Sequence, residues 1–143
     1  MTQDSQFLYV FGGQQTTIER YHIGTGFTGW EEIQCNLPPT LSNHDGYALI
    51  PAWQFTPSDA NIYILGGLSS TDISSGNQDI LTFNTDTLLL QNTNMKTEVM
   101  DHFESPCHID PRSRKVILLG RKHVHVVDIT DFNNLQIYQK KGK

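Results

Sequence analysis

Histidines and a cysteine in the last third of the chain are the residue types best suited to metal binding or catalysis. His123 and His125 lie two residues apart in "HVH", so on a strand both side chains point to one face, as metal ligands would. A catalytic zinc needs three protein ligands, however, and Cys107 and His108 are adjacent and point to opposite faces. The alternative is a polar strand face, with Val124 and Val126 in the core. We predict this alternative and no cofactor, and a metal at the two histidines stays open.

Signatures of other catalytic chemistries are absent. The sequence contains no GxSxG motif, no phosphate-binding glycine loop and no dinucleotide fingerprint. Glu31 and Glu32 are adjacent, so on a strand their carboxylates point to opposite faces and do not form a hydrolytic pair. We therefore predict no catalytic residues and no enzymatic activity.

Basic residues are concentrated near the C-terminus. Residues 112–143 carry eight basic and two acidic side chains, whereas residues 1–111 carry two basic and thirteen acidic ones. This segregation favours docking on an acidic protein surface or on nucleic-acid phosphates, or else a charged exterior that keeps strand edges from aggregating. Nucleic acid is the less favoured partner because no aromatic residues are interleaved with the basic ones. The candidate contacts lie in two turns and are Arg112, Arg114, Lys115, Arg121 and Lys122.

Composition is typical of half-exposed strands and turns. The 143 residues are 37 % hydrophobic and only 17 % charged, with a net charge of −5. Two distant cysteines and the lack of an Asn-x-Ser/Thr site favour a reducing compartment. No apolar run is long enough to span a membrane, and the N-terminus does not resemble a secretory signal. We predict a single cytoplasmic domain without membrane contact.

Glycines divide the chain into equal units. The strand-forming segments "FLYVFGG", "NIYILGG" and "KVILLG" place equivalent glycines at 12, 66 and 120, each 54 residues apart. Constant spacing indicates a repeat architecture. Glycine at a strand end permits a positive φ and leaves room for a neighbouring chain segment. Short strands and polar turns in the order A, B, C, D fill each unit, which predicts an all-β fold of four-stranded antiparallel sheets.

These units resemble the kelch repeat, in which an apolar strand runs into Gly-Gly and is followed by a Tyr and then a Trp. The first unit matches this pattern best, the second has Phe83 and Leu89 near the aromatic positions, and the third is degenerate. The resemblance implies an incomplete β-propeller with blades at about 7–34, 45–92 and 104–139. The residues that carry it are Gly12, Gly13, Tyr21, Trp30, Gly66, Gly67 and Gly120.

A count of the expected strands indicates a missing partner. The first unit lacks strand A, because only six residues precede Phe7, so the total is eleven strands in three blades. Closed propellers have about four to eight blades. We expect a longer propeller of which this is part, a ring completed by another chain or a second copy, or an open stack covered by partners. In each case the outer blade faces are apolar and need a cover, so we predict that the chain is not a free monomer.

The resemblance implies a recognition role, since kelch proteins often act as ubiquitin-ligase substrate adaptors or cytoskeletal binders. No BTB-like or F-box-like segment is present, so we predict a non-catalytic scaffold module and subunit of a larger assembly. The alternatives are a propeller-enzyme fragment completed by another chain, or an accessory protein docking through the basic residues. Partner contacts are predicted in the loops at Gln14–Thr16, Trp53–Phe55 and Ser69–Asn77. Trp53 and Phe55 are the anchor candidates, unless the loop folds them onto its own blade.

Overall fold

The computed structural model describes residues 7–11, 17–23, 29–35, 44–69, 78–97 and 101–140. These form three antiparallel sheets, and within the described residues the sheets do not close into a ring. The all-β prediction of incomplete propeller-type blades is therefore confirmed. Gly12, Gly13, the loop Gln14–Thr16 and positions 70–77 lie outside the described residues.

The strands follow one another within each sheet, so every neighbouring pair is a hairpin. Blade 1 is β1-β2-β3, blade 2 is β4-β5-β6-β7 and blade 3 is β8-β9-β10-β11. One 3-10 turn, Ala52–Gln54, follows β4. The strands are β1 Phe7–Val10, β2 Ile18–His22, β3 Trp30–Ile33, β4 His44–Pro51, β5 Asn61–Ser69, β6 Asp79–Asn84, β7 Leu89–Lys96, β8 Phe103–Asp110, β9 Lys115–Gly120, β10 Val124–Asp128 and β11 Gln136–Lys140.

The last strand of blade 2 is longer than the sequence indicates. β7 continues to Lys96, past the predicted end at 92, because its register against β6 shifts between Asp79 and Leu81. The Thr93 hydroxyl donates to the Ile80 carbonyl at 2.6 Å, and Asn94 adopts φ 63°. This bulge absorbs the extra residue and lets the strand pair resume.

Side chains at the starts of polar turns fix the hairpins. The Asn84 side chain accepts hydrogen bonds from the backbone N–H groups of Asp86 and Thr87, each at 2.9 Å. The Asp110 carboxylate accepts from the Arg112 N–H at 3.1 Å and from the Ser113 hydroxyl at 2.7 Å. Such Asx-type turns replace the ladder bonds that the backbone loses where a strand ends.

The core lies between the blades, because each sheet buries a face against its neighbour. β5 is apolar on both faces, and its residues from Ile62 to Leu65 are all buried because blade 2 stands between the other two blades. One cluster joins blades 1 and 2, with Phe83 at its centre and edge-to-face contacts to Tyr9 and Phe11 at 5.5 and 5.4 Å. The other joins blades 2 and 3 and includes Ala48, Ile50, Leu65, Phe103, Val116, Leu118 and Val127.

Candidate functional site

The glycines of the repeat position blade 3 against blade 2. Gly66 and Gly67 adopt φ of +77° and +89°, which side chains rarely tolerate. A Cβ at Gly66 would overlap the Phe103 ring, and one at Gly46 would overlap the His102 ring. The Gly67 N–H also donates to the Asp101 carbonyl at 3.2 Å. These glycines therefore provide the space into which the start of β8 packs.

Gly120, the single glycine of the third unit, makes room for a carboxylate instead. A Cβ there would overlap Oδ2 of Asp101, which is 1 % exposed. Asp101 Oδ1 accepts a hydrogen bond from the His102 N–H at 2.8 Å, and Oδ2 accepts from the His123 N–H at 3.2 Å. A third, longer bond of 3.4 Å comes from the Lys122 N–H. The Asp101 side chain thus fixes the backbone of the turn between β9 and β10.

His125 is the fourth partner of Asp101, with 3.0 Å between its Nε2 and Oδ2 of the carboxylate. The prediction that Val124 and Val126 face the core is wrong, because His125 and Val127 are buried and Val124 is exposed. His123 is exposed and precedes β10, with its ring centroid 6.2 Å from that of His125. Among the described residues no three His, Cys, Asp or Glu side chains are grouped to hold a metal ion.

Hydrogen bonding sets the charge of Asp101. Burial opposes ionisation, but bonds from His125 and from three backbone N–H groups outweigh it, so the pKa of the Asp101 carboxyl lies below its ordinary value of 3.8. Sequence reasoning missed this residue because no motif or spacing links Asp101 to His125. The one indirect signal in the sequence was Gly120, because a glycine at this position of the repeat indicates that another side chain packs closely against the strand end.

The outer faces of the two terminal blades expose apolar side chains, although on blade 1 Val10 shares its face with Glu19 and Glu32. Internal comparison explains why, since the 54-residue spacing makes Phe11, Leu65 and Leu119 equivalent, and likewise Val10 and Ile64. Leu65 is 0 % exposed against blade 3, but Leu119 is 49 % exposed where no blade follows. Ile64 is 0 % exposed against blade 1, but Val10 is 43 % exposed where no blade precedes. Positions that lie between blades in the middle of the stack are therefore open at its ends.

Each outer face is continuous across its strands. On blade 1, Leu8 stands opposite Tyr21, which stands opposite Trp30 with ring centroids 5.3 Å apart. Trp30 is 53 % exposed, so the Tyr and Trp of the first repeat lie on the surface. On blade 3 the register aligns the outward side chains of neighbouring strands. The outer face of blade 3 consists of Ile117, Leu119, Val124, Val126 and Tyr138.

The two predicted aromatic anchors are half-buried in their own molecule. Trp53 packs against the cluster between blades 1 and 2, and Phe55 against the cluster between blades 2 and 3. Phe55 contacts the Phe132 ring edge-to-face at 6.2 Å, and the Arg114 guanidinium lies 6.0 Å from its centroid. Both aromatics thus pack on their own molecule, which is the alternative to a role as partner anchors. Contact of either aromatic with a partner stays a prediction.

The predicted basic contacts are divided between two ends of blade 3. Arg112 and Arg114 belong to the β8–β9 turn and Lys115 begins β9, whereas Arg121 and Lys122 belong to the β9–β10 turn at the other end of β9. Arg114 adopts φ 53° and donates to the Ile129 carbonyl at 3.3 Å, so it has a structural role. Lys115 stands between Asp110 and Asp128 across the sheet. The five predicted basic contacts therefore do not form one patch.

Comparisons with known proteins add no family to this picture. Neither the models of known protein families nor the curated proteins include a match to the chain. In the described part of the chain, no helix has the length and apolar character needed to cross a membrane.

Proposed function

We propose that the chain is a non-catalytic protein-interaction module that assembles through the outer faces of blades 1 and 3. The observation that carries the proposal is the difference between equivalent positions of the repeat. Leu65 and Ile64 are buried inside the stack, whereas their equivalents Leu119 and Val10 are exposed at its ends. Contiguous exposed apolar surface of this kind usually marks an interaction site. The kelch resemblance implies the same role, since kelch proteins often act as adaptors or cytoskeletal binders, but the propeller fold itself hosts many functions and does not specify one.

A second copy of the chain is the occupant that these faces favour. Inside the molecule, the interface between blades 2 and 3 joins a face carrying Leu65 to a face carrying Leu118. The outer face of blade 3 carries Leu119, which is equivalent to Leu65. The outer face of blade 1 carries Val10, which is equivalent to Leu118. Blade 3 of one copy can therefore dock on blade 1 of another, head to tail, by repeating the contact already present. We place this assembly in the cytoplasm, where the chain acts as a scaffold subunit.

Sedimentation velocity with two charged variants tests the proposal. Wild-type protein at tens of micromolar sediments as an assembly of at least two chains. Val10→Asp disables the blade 1 face and Leu119→Asp the blade 3 face, and each weakens self-association at least about tenfold because a charge enters an apolar contact. Leu89→Asp is the matched control, since Leu89 is exposed at the start of β7 in blade 2 and belongs to neither outer face.

Mixing the two variants decides the geometry. In a head-to-tail contact the intact blade 3 of Val10→Asp docks on the intact blade 1 of Leu119→Asp, so the mixture recovers a heterodimer. If the mixture stays monomeric while wild type assembles, the head-to-tail contact is refuted. A wild-type chain that is a stable monomer at these concentrations refutes self-association altogether.

A further inference from the structure

Two carboxylates interrupt the apolar outer face of blade 1. Glu19 stands directly opposite Val10, and Glu32 stands directly opposite Glu19, so the three side chains share one face. Within the described residues neither glutamate forms an ion pair. Like charges directly across a sheet are destabilising. A second copy that covered this face with apolar side chains alone would bury two uncompensated carboxylates, which is costly.

The repeat shows what lies next to this part of a blade when a neighbouring blade is in place. Val10 and Leu118 are two 54-residue repeats apart, and Leu118 stands opposite His125, which stands opposite Gln139. His125 and Gln139 therefore occupy in blade 3 the places that the two glutamates occupy in blade 1. Both residues line a cleft whose other wall, in blade 2, includes Lys96. The end of β7 thus reaches across this part of blade 3.

The segment that corresponds to the end of β7 in the third unit is basic. In blade 2 the residue in line with the Ile64–Leu81 pair is Asn92, and residues 93–96 continue β7 beyond it. In blade 3 the residue in this place is Gln139, so residues 140–143 correspond to residues 93–96. Their sequence is Lys-Lys-Gly-Lys. Repeating the contact of blades 2 and 3 between two copies therefore directs these lysines of one copy toward the two glutamates of the next.

We propose that the C-terminal basic segment, residues 140–143 of one copy, binds Glu19 and Glu32 of the next copy and fixes the head-to-tail orientation. This inference rests on the assembly proposed above and names the contact that orients it. Charge complementarity contributes to the specificity and rate of association more than to affinity. Docking blade 1 on blade 1 would instead place the glutamates of one copy against those of the other, so the same charges disfavour a two-fold dimer through this face.

Reversing the charges on each side tests the contact by sedimentation velocity of the full chain at low salt. One variant is Glu19→Lys/Glu32→Lys, and the other is Lys141→Glu/Lys143→Glu. Each variant alone places like charges against each other, so each should weaken self-association about tenfold. Asp86→Lys, in the exposed β6–β7 turn of blade 2, is the charge-change control and should leave association unchanged.

An equimolar mixture of the two variants decides whether these charges meet. The reversed basic segment of one variant then faces the reversed glutamates of the other, and the remaining contact has its wild-type charges on both sides. The mixture should therefore recover wild-type association. Two weak variants whose mixture stays weak would show that the two sets of charges do not pair, and this result would overturn the proposal.

Salt provides a second measurement that needs no substitution. Wild-type association should weaken several-fold between about 0.05 and about 0.5 M sodium chloride, because salt screens charges at the edge of an interface. The Lys141→Glu/Lys143→Glu variant should not weaken over the same range. Both substitutions follow the last strand, so this comparison keeps the test decisive even if the glutamate variant does not fold.

The outcomes separate this contact from the assembly itself. If wild type assembles and Val10→Asp weakens it, but both charge-reversed variants associate as tightly as wild type, the charge contact is refuted and the head-to-tail assembly stands. A wild-type chain that does not assemble refutes the assembly and this contact together.

Discussion

Replacing Asp101 by Asn tests whether one buried carboxylate holds the junction between blades 2 and 3. The change preserves the shape of the side chain but removes its charge and turns one acceptor oxygen into an NH₂ donor. That donor would face N–H groups that now donate to the carboxylate. Unpaired buried donors are costly, so the variant should lose stability even though its volume is unchanged.

The magnitude follows from the two shortest bonds, 2.8 Å from the His102 N–H and 3.0 Å from His125. Hydrogen bonds to a charged group contribute about 1.5–3 kcal/mol each, and the amide keeps part of this. We expect Asp101→Asn to lower the free energy of unfolding by about 3 kcal/mol at neutral pH. Asp86→Asn, in the exposed β6–β7 turn, is the matched control and should be near neutral.

The direction of the pKa shift determines how the contribution of Asp101 to stability changes with pH. The pKa of the Asp101 carboxyl is lower in the folded protein than its ordinary value of 3.8, so the carboxylate stabilises the fold above that value. This stabilisation is lost as the pH falls through the folded-state pKa, where the wild-type side chain becomes neutral as well. The difference between wild type and Asp101→Asn should therefore shrink below about pH 4.

Urea unfolding followed by circular dichroism, repeated from neutral to acidic pH, measures both quantities. A variant as stable as wild type at neutral pH would show that the hydrogen bonds of Asp101 contribute nothing net. A stability difference that widens on acidification would contradict the direction of the pKa shift.

Three further predictions follow from the packing. Gly66→Ala should lower the free energy of unfolding by at least about 2 kcal/mol, since φ is +77° and the new methyl overlaps a core ring, whereas Gly29→Ala should be near neutral because nothing lies within 4 Å. Phe83→Ala should cost about 3–5 kcal/mol in urea unfolding because the ring is fully buried between two blades, while Leu89→Ala, 55 % exposed, should cost well under 1 kcal/mol. Cys35 should react with iodoacetamide more slowly than a free thiol near neutral pH, because burial raises the pKa of its thiol. The rate is measured by mass spectrometry in a variant whose other cysteine is replaced by serine. A rate equal to that of a free thiol would contradict this prediction.

Hairpin order and blade count follow from local sequence. Apolar segments ending in glycine and turns rich in Asn and Asp predict eleven strands paired with their neighbours along the chain, and the sheets have this order. The end of β7 does not follow, because the bulge near Asn94 depends on pairing with β6 and has no local sequence pattern. Strand pairing between segments close in sequence needs only local information, whereas register across a bulge needs the partner strand.

By itself the sequence determined the repeat, since spacing of 54 residues between Gly12, Gly66 and Gly120 is visible without any structure. Only the tertiary structure decided which face of β10 is buried. Alternation favoured the face with Val124 and Val126 over the face with Val127, a difference of one apolar residue, and this was the wrong face. The face was decided by Asp101, 24 residues away in the chain, whose carboxylate bonds His125 and draws it inward. A hydrophobic pattern specifies a face reliably only when the two faces differ strongly, and here the hydrogen bond of His125 to a distant buried carboxylate outweighed the small difference.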